Sequence, residues 1–280
     1  MKDFEIQDIE VDLLVEALYR RHGYDFRNYA RASLKRRVAD LAPAFGCATV
    51  SELIPRVLHD PELGRQIVPK LSVPVTDMFR DPPVFLSLRR RVLPLLASYP
   101  RLNIWQAGCA SGEEVYSLAI LLREEGLSER AHIYATDIND VALARAEEGV
   151  FPLRLLKDFS TNYLKAGGQH SLSHYYHAQY DHARLDPSLR ENITFARHNL
   201  ASDGVFCEAH LILCRNVLIY FDHVLQNRAL RLFHDSLVRQ GFMCLGNRES
   251  LQFSEVVEDF AVTDHEHRIF RKRLLGEPTP

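Results

Sequence analysis

From about residue 100 onward, the sequence alternates short apolar runs with amphipathic stretches, and this alternation limits the possible folds more than any other feature. The apolar runs cover residues 102–106, 132–136, 193–196, 211–214 and 242–245. Helical patterns cover residues 114–125, 140–148 and 223–238. Strands separated by helices predict a mainly parallel sheet that is covered on both faces. Residues 261–263 and 268–271 are expected to close this sheet as an antiparallel pair.

The region before this alternation has a purely helical pattern. Apolar residues recur at the spacing of one helical face from Ile6 to Leu18. Further helices are predicted over residues 28–41 and 51–58, the latter with Thr49 or Ser51 as its N-cap. A helical segment over residues 83–96 then leads into the first strand.

One long stretch interrupts the alternation. Residues 153–190 are rich in Tyr, His, Ser and Gly, and they are too many for an ordinary connection in an α/β domain. We therefore expect an inserted subdomain there. The predicted organisation is an all-helical N-terminal domain (1–72), a linker segment (73–90) and an α/β domain (91–280) that carries the insertion at about 153–190.

Composition narrows the class of protein. The chain has 280 residues, of which 46% are hydrophobic and 25% charged, and these values are typical of a globular protein. A net charge of −3 gives no general attraction to nucleic acid. No apolar run approaches the roughly 20 residues that cross a bilayer, and the N-terminus lacks a signal-peptide pattern. We expect a cytoplasmic protein that is not inserted into a membrane.

No metal site is predicted. The five cysteines are scattered without a C-x-x-C pair. His170, His174 and His177 would share one face of a helix, but no carboxylate joins them at a clear ligand spacing.

The strongest local motif follows the first predicted strand. Residues 107–114 read Ala-Gly-Cys-Ala-Ser-Gly-Glu-Glu and lead into a helix, and a strand, a small-residue turn and a helix form a nucleotide-binding unit. Gly108 and its small neighbours let the backbone approach a ligand closely. Glu113 and Glu114 would repel a phosphate. They favour a ligand with positive charge and hydroxyl groups, and S-adenosylmethionine has a sulfonium, an ammonium and a ribose.

Polar residues follow the other parallel strands. Asp137 ends the second strand, where a carboxylate accepts hydrogen bonds from ribose hydroxyls. Alternatively it caps the next helix, a role that Asn139 or Asp140 would fill equally well. Asn199 follows the third strand and Arg215-Asn216 the fourth. An Asn side chain suits an adenine edge or an amino-acid carboxylate, although Asn is also a common turn residue.

These motifs resemble the bacterial chemotaxis-receptor methyltransferases, the CheR family. The matching segments are residues 76–81, 104–117, 135–138, 198–200, 214–222 and, more weakly, 246–251. They occur in the family's order and cover the chain from about residue 71 onward. The Cys-Arg-Asn-Val-Leu-Ile-Tyr-Phe run over residues 214–221 is the most specific of them. The helical N-terminal region is similar in kind but has no sharp motif.

The resemblance implies a class I S-adenosylmethionine-dependent methyltransferase with a Rossmann-like, mainly parallel sheet, a small helical N-terminal domain and an inserted subdomain. It implies methyl transfer to glutamate side chains in the cytoplasmic helices of chemoreceptors. In the family the insertion is β-rich and in some members docks a receptor tail peptide, which is left open for this chain. Pro74 stands where the family usually has Asn, so one cofactor contact is expected to be lost or replaced.

The resemblance also assigns site residues. The cofactor contacts that it implies, together with the loop glycine, are Thr76, Arg80, Gly108, Glu114, Asp137, Asn199, Leu200, Arg215 and Asn216. Arg80 and Tyr220 are the predicted catalytic residues, with Tyr220 near the transferred methyl group.

The chemistry of this reaction predicts catalysis by positioning. A glutamate is ionised at neutral pH, because its ordinary pKa is about 4.3, and so it needs no base. Arg80 can hold a carboxylate through its planar fork, or it can form a salt bridge with Asp77 or Asp81. Tyr220 can donate a hydrogen bond or form a wall of the methyl channel.

A basic face is predicted on the N-terminal domain. Arg27, Arg31, Lys35 and Arg36, with Arg37 beside them, would suit an acidic receptor helix bundle, although most charged helical faces are simply solvated. Two other functions stay open at this point. One is a methyltransferase of another substrate, such as RNA or a small molecule, and the other is a non-catalytic adaptor that binds S-adenosylmethionine.

Overall fold

The N-terminal part of the chain is a helical domain. The computed structural model describes residues 3–72 and 76–274. The first helices are α1 (Asp3–His22), α2 (Arg31–Ala44), α3 (Val50–His59) and α4 (Leu63–Leu71). Thr49 is the N-cap of α3, and its side chain accepts a hydrogen bond from the backbone N–H of Glu52. Helix α4 was not predicted individually, although it lies within the region predicted to be all-helical.

This helical domain has its own core, because the apolar faces of its helices converge. Leu14 and Leu18 of α1, Leu53 of α3 and Ile67 of α4 are fully buried. Within the described ranges, no helix is long and apolar enough to cross a bilayer.

A broken helical segment joins this domain to the sheet. Helix α5 (Pro82–Ser87) continues through a π-helical turn (Leu88–Val92) into α6 (Leu93–Leu96). The predicted single helix over residues 83–96 is therefore interrupted. The remaining helices are α7 (Glu113–Glu124), α8 (Asp140–Glu148), α9 (Leu156–Lys165) and α10 (His223–Ser236).

The strands form a large sheet and a small one. In chain order they are β1 (Leu102–Ala107), β2 (Ala131–Asp137), β3 (Val150–Pro152), β4 (Tyr176–Gln179), β5 (His182–Leu185), β6 (Ile193–Arg197), β7 (Ala209–Cys214), β8 (Leu237–Leu245), β9 (Phe260–Asp264) and β10 (Ile269–Lys272). The large sheet has the order β6-β2-β1-β7-β8-β10-β9. Strands β6, β2, β1, β7 and β8 are parallel, whereas β10 and β9 pair antiparallel. The predicted mainly parallel sheet is confirmed.

The chain order reverses at the centre of this sheet. After β1 the chain builds β2 and β6 on one side, and then β7 pairs with β1 from the other side. Ligands of open α/β sheets bind at such a reversal, beyond the carboxyl ends of the strands. The loops after β1 and β7 are therefore expected to line a ligand site.

Both faces of the large sheet are buried. Ile104 of β1 packs in one core cluster, which also contains residues of α7 such as Leu118. Its neighbour Trp105 points to the opposite face and packs in a second cluster with Phe233 of α10. This alternation follows from the two-residue period of a strand, and it explains why the parallel strands are continuously apolar.

The insertion forms a small antiparallel sheet of order β3-β5-β4 with α9 beside it. Its first strand begins at Val150, slightly before the predicted boundary at 153. Glu124 of α7 ties the insertion to the main domain. Its carboxylate accepts hydrogen bonds from the Tyr163 hydroxyl, from the Tyr175 hydroxyl (3.0 Å) and from the Gln169 N–H (3.2 Å).

The helical domain packs directly on the loop that follows β7. The Ala30 N–H donates to the Tyr220 carbonyl (2.7 Å), and the Asp222 N–H donates to the Asn28 carbonyl (2.9 Å). The rings of Tyr29 and Phe221 meet edge to face, with centroids 5.0 Å apart. These contacts fix the loop that carries Tyr220 to the N-terminal domain.

Candidate functional site

A cavity of about 920 Å³, including its opening to solvent, lies at the carboxyl ends of β1 and β7. Its walls include every residue that the sequence and the resemblance assigned to the site: Thr76, Arg80, Gly108, Glu114, Asp137, Asn199, Leu200, Arg215, Asn216 and Tyr220. The fold therefore brings together residues from five separate segments of the chain. The predicted effect of Pro74 lies outside the described residues.

Two glycines shape the loop after β1. Gly108 has a φ of 72°, and a Cβ added there would lie 2.4 Å from Cγ2 of Val217. Gly112 has a φ of 92°, and a Cβ there would lie 2.8 Å from that of Ala146. Positive φ and close neighbours both require glycine. The loop can therefore run along the cavity with its backbone exposed to a ligand.

Asp137 stands at the end of β2 and faces this loop. Its Oδ2 accepts a hydrogen bond from the Ala110 N–H, and its Oδ1 accepts one from the Asn139 N–H, both at 2.9 Å. Asn139 is the N-cap of α8, so the alternative that Asp137 caps that helix does not hold. Burial raises the pKa of Asp137. Each oxygen keeps a further lone pair that can accept from a ligand hydroxyl.

Glu114 and Arg215 form a buried ion pair in the cavity wall. Arg215 Nη1 lies 2.5 Å from Glu114 Oε2, and Nη2 lies 2.7 Å from Asp81 Oδ2. Burial by itself lowers the pKa of Arg215, but Glu114 and Asp81 outweigh burial and raise that pKa. Asp81 thus pairs with Arg215, and the alternative salt bridge of Arg80 with Asp77 or Asp81 stays a prediction. The Arg80 carbonyl also accepts from Arg215 Nη1 (3.1 Å).

Glu113 does not contribute to this cavity. Its side chain is buried, lies outside the cavity wall and accepts a hydrogen bond from the Ser111 hydroxyl (2.8 Å). Burial raises the pKa of Glu113 to about 7. Of the two glutamates that open α7, only Glu114 lines the cavity, because adjacent helical residues point about 100° apart.

This raised pKa has a measurable consequence for stability. The folded state binds a proton at Glu113 between about pH 4.5 and 7 that the unfolded state has released, so stability falls as pH rises through that window. In the wild type, this proton release should lower the unfolding free energy by roughly 2 kcal/mol between pH 5 and pH 8. We expect Glu113→Gln to lack this decrease. Urea denaturation of both proteins at the two pH values measures this difference. Identical pH dependence in wild type and variant would contradict it.

Several buried polar atoms around the cavity lack a hydrogen-bond partner among the described residues. Gln106 Oε1 and Asn216 Oδ1 are acceptors, and Asn199 Nδ2 is a donor. The Gln106 amide is oriented by its Nε2, which donates to Glu114 Oε1 (2.9 Å). The Asn199 amide is oriented by its Oδ1, which accepts from the Ala201 N–H (3.0 Å). Unpaired buried polar groups are costly, so these atoms fit a ligand that carries both donors and acceptors.

The N-terminal domain adds residues that the sequence patterns did not assign to the cavity. Tyr29 and Arg37 line it. The Arg37 guanidinium lies over the Tyr220 ring, 4.8 Å from its centroid. One signal was present in the sequence, since Arg37 lies three residues after Leu34 and so borders the apolar face of α2. Gln106 was also missed, although it directly precedes the loop after β1.

The predicted basic face is largely neutralised. Arg27 precedes α2 and pairs with Asp25 (2.9 Å). Arg31 pairs with Asp8 (3.0 Å) and Asp12, and Lys35 pairs with Asp8 (2.5 Å). Arg36 is exposed, and none of the described carboxylates forms an ion pair with it. A docking role for this face stays a prediction. Arg37 beside it also forms no ion pair with the described carboxylates, and its partners there are neutral acceptors.

Comparison with family models identifies both parts of the chain. Residues 9–71 match the all-alpha domain of CheR methyltransferases. Residues 74–269 match the S-adenosylmethionine-binding domain of CheR methyltransferases.

Similar proteins cover most of the chain. "Putative methyltransferase Cher3" of Pseudomonas putida is 52% identical over 265 residues, which are 95% of this chain and 97% of that protein. A chemotaxis protein methyltransferase of Listeria monocytogenes is 30% identical over 255 residues, covering 88% of this chain and 92% of that protein. Chemotaxis protein methyltransferase 1 of Pseudomonas aeruginosa is 30% identical and covers 77% of this chain and 80% of that protein.

Proposed function

Because this chain belongs to the CheR methyltransferase family and is an S-adenosylmethionine-dependent methyltransferase, we propose that it methylates glutamate side chains in the cytoplasmic helices of chemoreceptors. The family assignment made from the motifs is confirmed. The products of the proposed reaction are glutamyl methyl esters and S-adenosylhomocysteine. Relatives that carry the name chemotaxis protein methyltransferase support this choice of substrate.

The cavity fits S-adenosylmethionine by the chemistry of its unpaired atoms. Asp137 offers carboxylate lone pairs for the ribose hydroxyls. The orphaned oxygens of Gln106 and Asn216 suit the ammonium group of the cofactor, and the orphaned Asn199 Nδ2 suits an acceptor such as an adenine nitrogen. The cofactor supplies a methyl group on a sulfonium, which is already an activated leaving group.

The main support for a carboxylate substrate is that guanidinium groups lie in the cavity that Tyr220 lines. Arg37 and Arg80 both line it, and guanidinium groups bind carboxylates through parallel hydrogen bonds. A carboxylate is ionised at neutral pH and needs no base before it attacks a methyl group. The residues then have to orient the acceptor and exclude water, and their contribution is positioning. Tyr220 forms a wall of the channel, and its hydroxyl can donate to a carboxylate oxygen.

A methyl-transfer assay tests the proposal. The purified protein is incubated with S-adenosylmethionine labelled in its methyl group and with cytoplasmic fragments of chemoreceptors. We expect label in the fragments that mild base releases as methanol, because esters of glutamate hydrolyse under base. Base-stable label would indicate another acceptor and contradict the proposal. Cofactor binding without any transfer would favour the adaptor function.

A substitution at Gln106 tests the cofactor fit separately. Gln106→Met keeps a similar length but removes the orphaned oxygen, and a hydrogen bond to a charged group contributes about 1.5–3 kcal/mol. We therefore expect affinity for S-adenosylhomocysteine to fall by roughly 10-fold. Affinity for 5′-methylthioadenosine, which lacks the amino-acid part, is expected to stay within about 2-fold of wild type. Calorimetry measures both.

The two ligands serve as controls for each other. An equal loss of affinity for both would show that Gln106 acts on the adenosine part or on the fold. Ser236→Ala is a matched control, because it removes another buried unpaired polar atom at the C-terminal end of α10, outside the cavity lining. It is expected to leave both affinities unchanged.

A further inference from the structure

We propose that Arg37 of the N-terminal domain binds the substrate carboxylate that receives the methyl group. The inference rests on the proposed function and deepens it. It makes the helical domain part of the catalytic site, in addition to any role in docking a partner.

The position of Arg37 is the first support. It lies on α2 and reaches the cavity, where its guanidinium covers the ring of Tyr220 at 4.8 Å from the centroid. Arg37 Nη2 donates to the Ser33 hydroxyl (2.9 Å), and Nη1 donates to the Leu71 carbonyl. The guanidinium is therefore held by α2 and by the end of α4. Its central carbon lies over an aromatic ring, a favourable arrangement for arginine.

The second support is the charge of its partners. Ser33 and Leu71 offer neutral acceptors, and no carboxylate of the described residues forms an ion pair with Arg37. Arg31 and Lys35 on the same helix differ from Arg37, since both pair with Asp8. A partly buried cation without a counter-ion is unfavourable. The negative charge of an anionic ligand would neutralise this positive charge.

Arg37 has N–H donors that are available to a ligand in the cavity. Arg215 is already paired with Glu114 and Asp81. A guanidinium has five N–H donors, and the Ser33 and Leu71 contacts leave others for a ligand. Burial lowers the pKa of Arg37, yet an arginine stays protonated in proteins. A carboxylate beside Tyr220 would thus meet a fixed positive charge.

This arrangement defines the transfer step. One oxygen of the carboxylate is held by Arg37. A lone pair of the carboxylate forms the new O–CH₃ bond while the S–CH₃ bond breaks, and the electrons of that bond stay on sulfur. No proton moves. The resulting ester is neutral, so it loses its attraction to Arg37, and this loss favours product release. Arg37 is therefore expected to distinguish glutamate from uncharged side chains of the same shape.

The test uses a receptor fragment that the wild-type enzyme methylates, prepared with Glu or with Gln at the methylated positions. Binding is measured by calorimetry with S-adenosylhomocysteine present. We expect wild type to bind the Glu form about 10-fold more tightly, since a hydrogen bond to a charged group exceeds one to a neutral group. Arg37→Gln is expected to abolish this preference and to raise KM. Its affinity for S-adenosylhomocysteine should stay within about 2-fold of wild type.

Arg36→Gln is the matched control, because Arg36 is the adjacent residue on α2 and is exposed outside the cavity. We expect it to weaken the binding of the Glu form and of the Gln form equally, and this effect should disappear at high salt. Arg37→Lys retains the charge without the fork, and we expect it to keep part of the preference. Thermal unfolding shows whether Arg37→Gln is folded. If it is not, Arg37→Lys replaces it in the test.

Three results would overturn the inference. An unchanged preference for Glu in both Arg37 variants would show that another group binds the carboxylate. A loss of S-adenosylhomocysteine affinity by 10-fold or more with the preference retained would make Arg37 a cofactor ligand instead. If wild type methylates no receptor fragment, the proposed function itself fails, and the role of Arg37 fails with it.

Discussion

Replacing Asp137 with alanine should weaken the binding of S-adenosylmethionine by about 100-fold or more. The side chain lies at the end of β2 with both oxygens oriented by backbone N–H groups, at 2.9 Å from Ala110 and from Asn139. Two hydrogen bonds from ribose hydroxyls to a charged acceptor contribute about 1.5–3 kcal/mol each, and every 1.4 kcal/mol is a factor of ten. The loss also frees the Ala110 amide in the loop after β1. Methyl transfer at low cofactor concentration should fall by a similar factor.

Calorimetry with S-adenosylhomocysteine measures this effect without any substrate. Asp140→Ala is a suitable control, because Asp140 begins the next helix and lies outside the cavity wall. It should bind the cofactor as wild type does. Asp137→Asn should be intermediate, since an amide keeps one oxygen acceptor but turns an NH₂ group toward a donor. An Asp137→Ala variant with wild-type affinity would mean that the cofactor lies elsewhere.

The sheet and the position of the cavity were predictable because they depend on local periodicity. Parallel strands that are buried on both faces have continuous apolar runs, and polar residues stand at or just after the ends of β2, β6 and β7. Parallel strands also bring those ends to one edge of the sheet. Asp137, Asn199 and Asn216 were therefore expected to converge, and all of them line one cavity. The specific cofactor contacts stay a prediction until binding is measured.

Contacts between distant segments were not predictable in this way. The pair of Glu114 and Arg215 joins α7 to the loop after β7, and nothing in either local pattern specifies that partner. The approach of Arg37 to Tyr220 depends on how the helical domain packs on the sheet domain. The ion pairs of the basic face were not predictable for a related reason. The carboxylates of Asp8 and Asp12 that neutralise Arg31 lie on α1, which sequence spacing does not place beside α2.

The second large effect is expected at Glu249, which organises the loop after β7. Its Oε2 accepts hydrogen bonds from the N–H groups of Gly246 (2.6 Å) and Asn216 (3.1 Å), and its Oε1 from those of Val217 (2.8 Å) and Ile219 (3.3 Å). Asn216 has a φ of 60°, an unfavourable conformation for a residue with a side chain. The buried carboxylate therefore stabilises a strained loop whose Asn216 and Tyr220 line the cavity.

Glu249→Gln should destabilise the protein and weaken the cofactor site together. Glutamine has one acceptor oxygen, and its NH₂ group faces N–H donors, so about two buried amides lose their partners at about 1–3 kcal/mol each. We expect the unfolding free energy to fall by roughly 2–5 kcal/mol. Affinity for S-adenosylhomocysteine should fall by about 10-fold, since a displaced Asn216 loses its contact with the ligand.

Thermal unfolding and calorimetry measure the two effects on the same sample. Glu255→Gln is the matched control, because it is the same substitution at an exposed glutamate that pairs with Arg231 on the surface. Exposed pairs contribute about 0–1 kcal/mol, so this variant should resemble wild type in both measurements. If Glu249→Gln behaves like Glu255→Gln, the four amide contacts do not hold the loop. Lost stability with normal cofactor affinity would instead show that Asn216 keeps its place without Glu249, and that the site is organised from β7 alone.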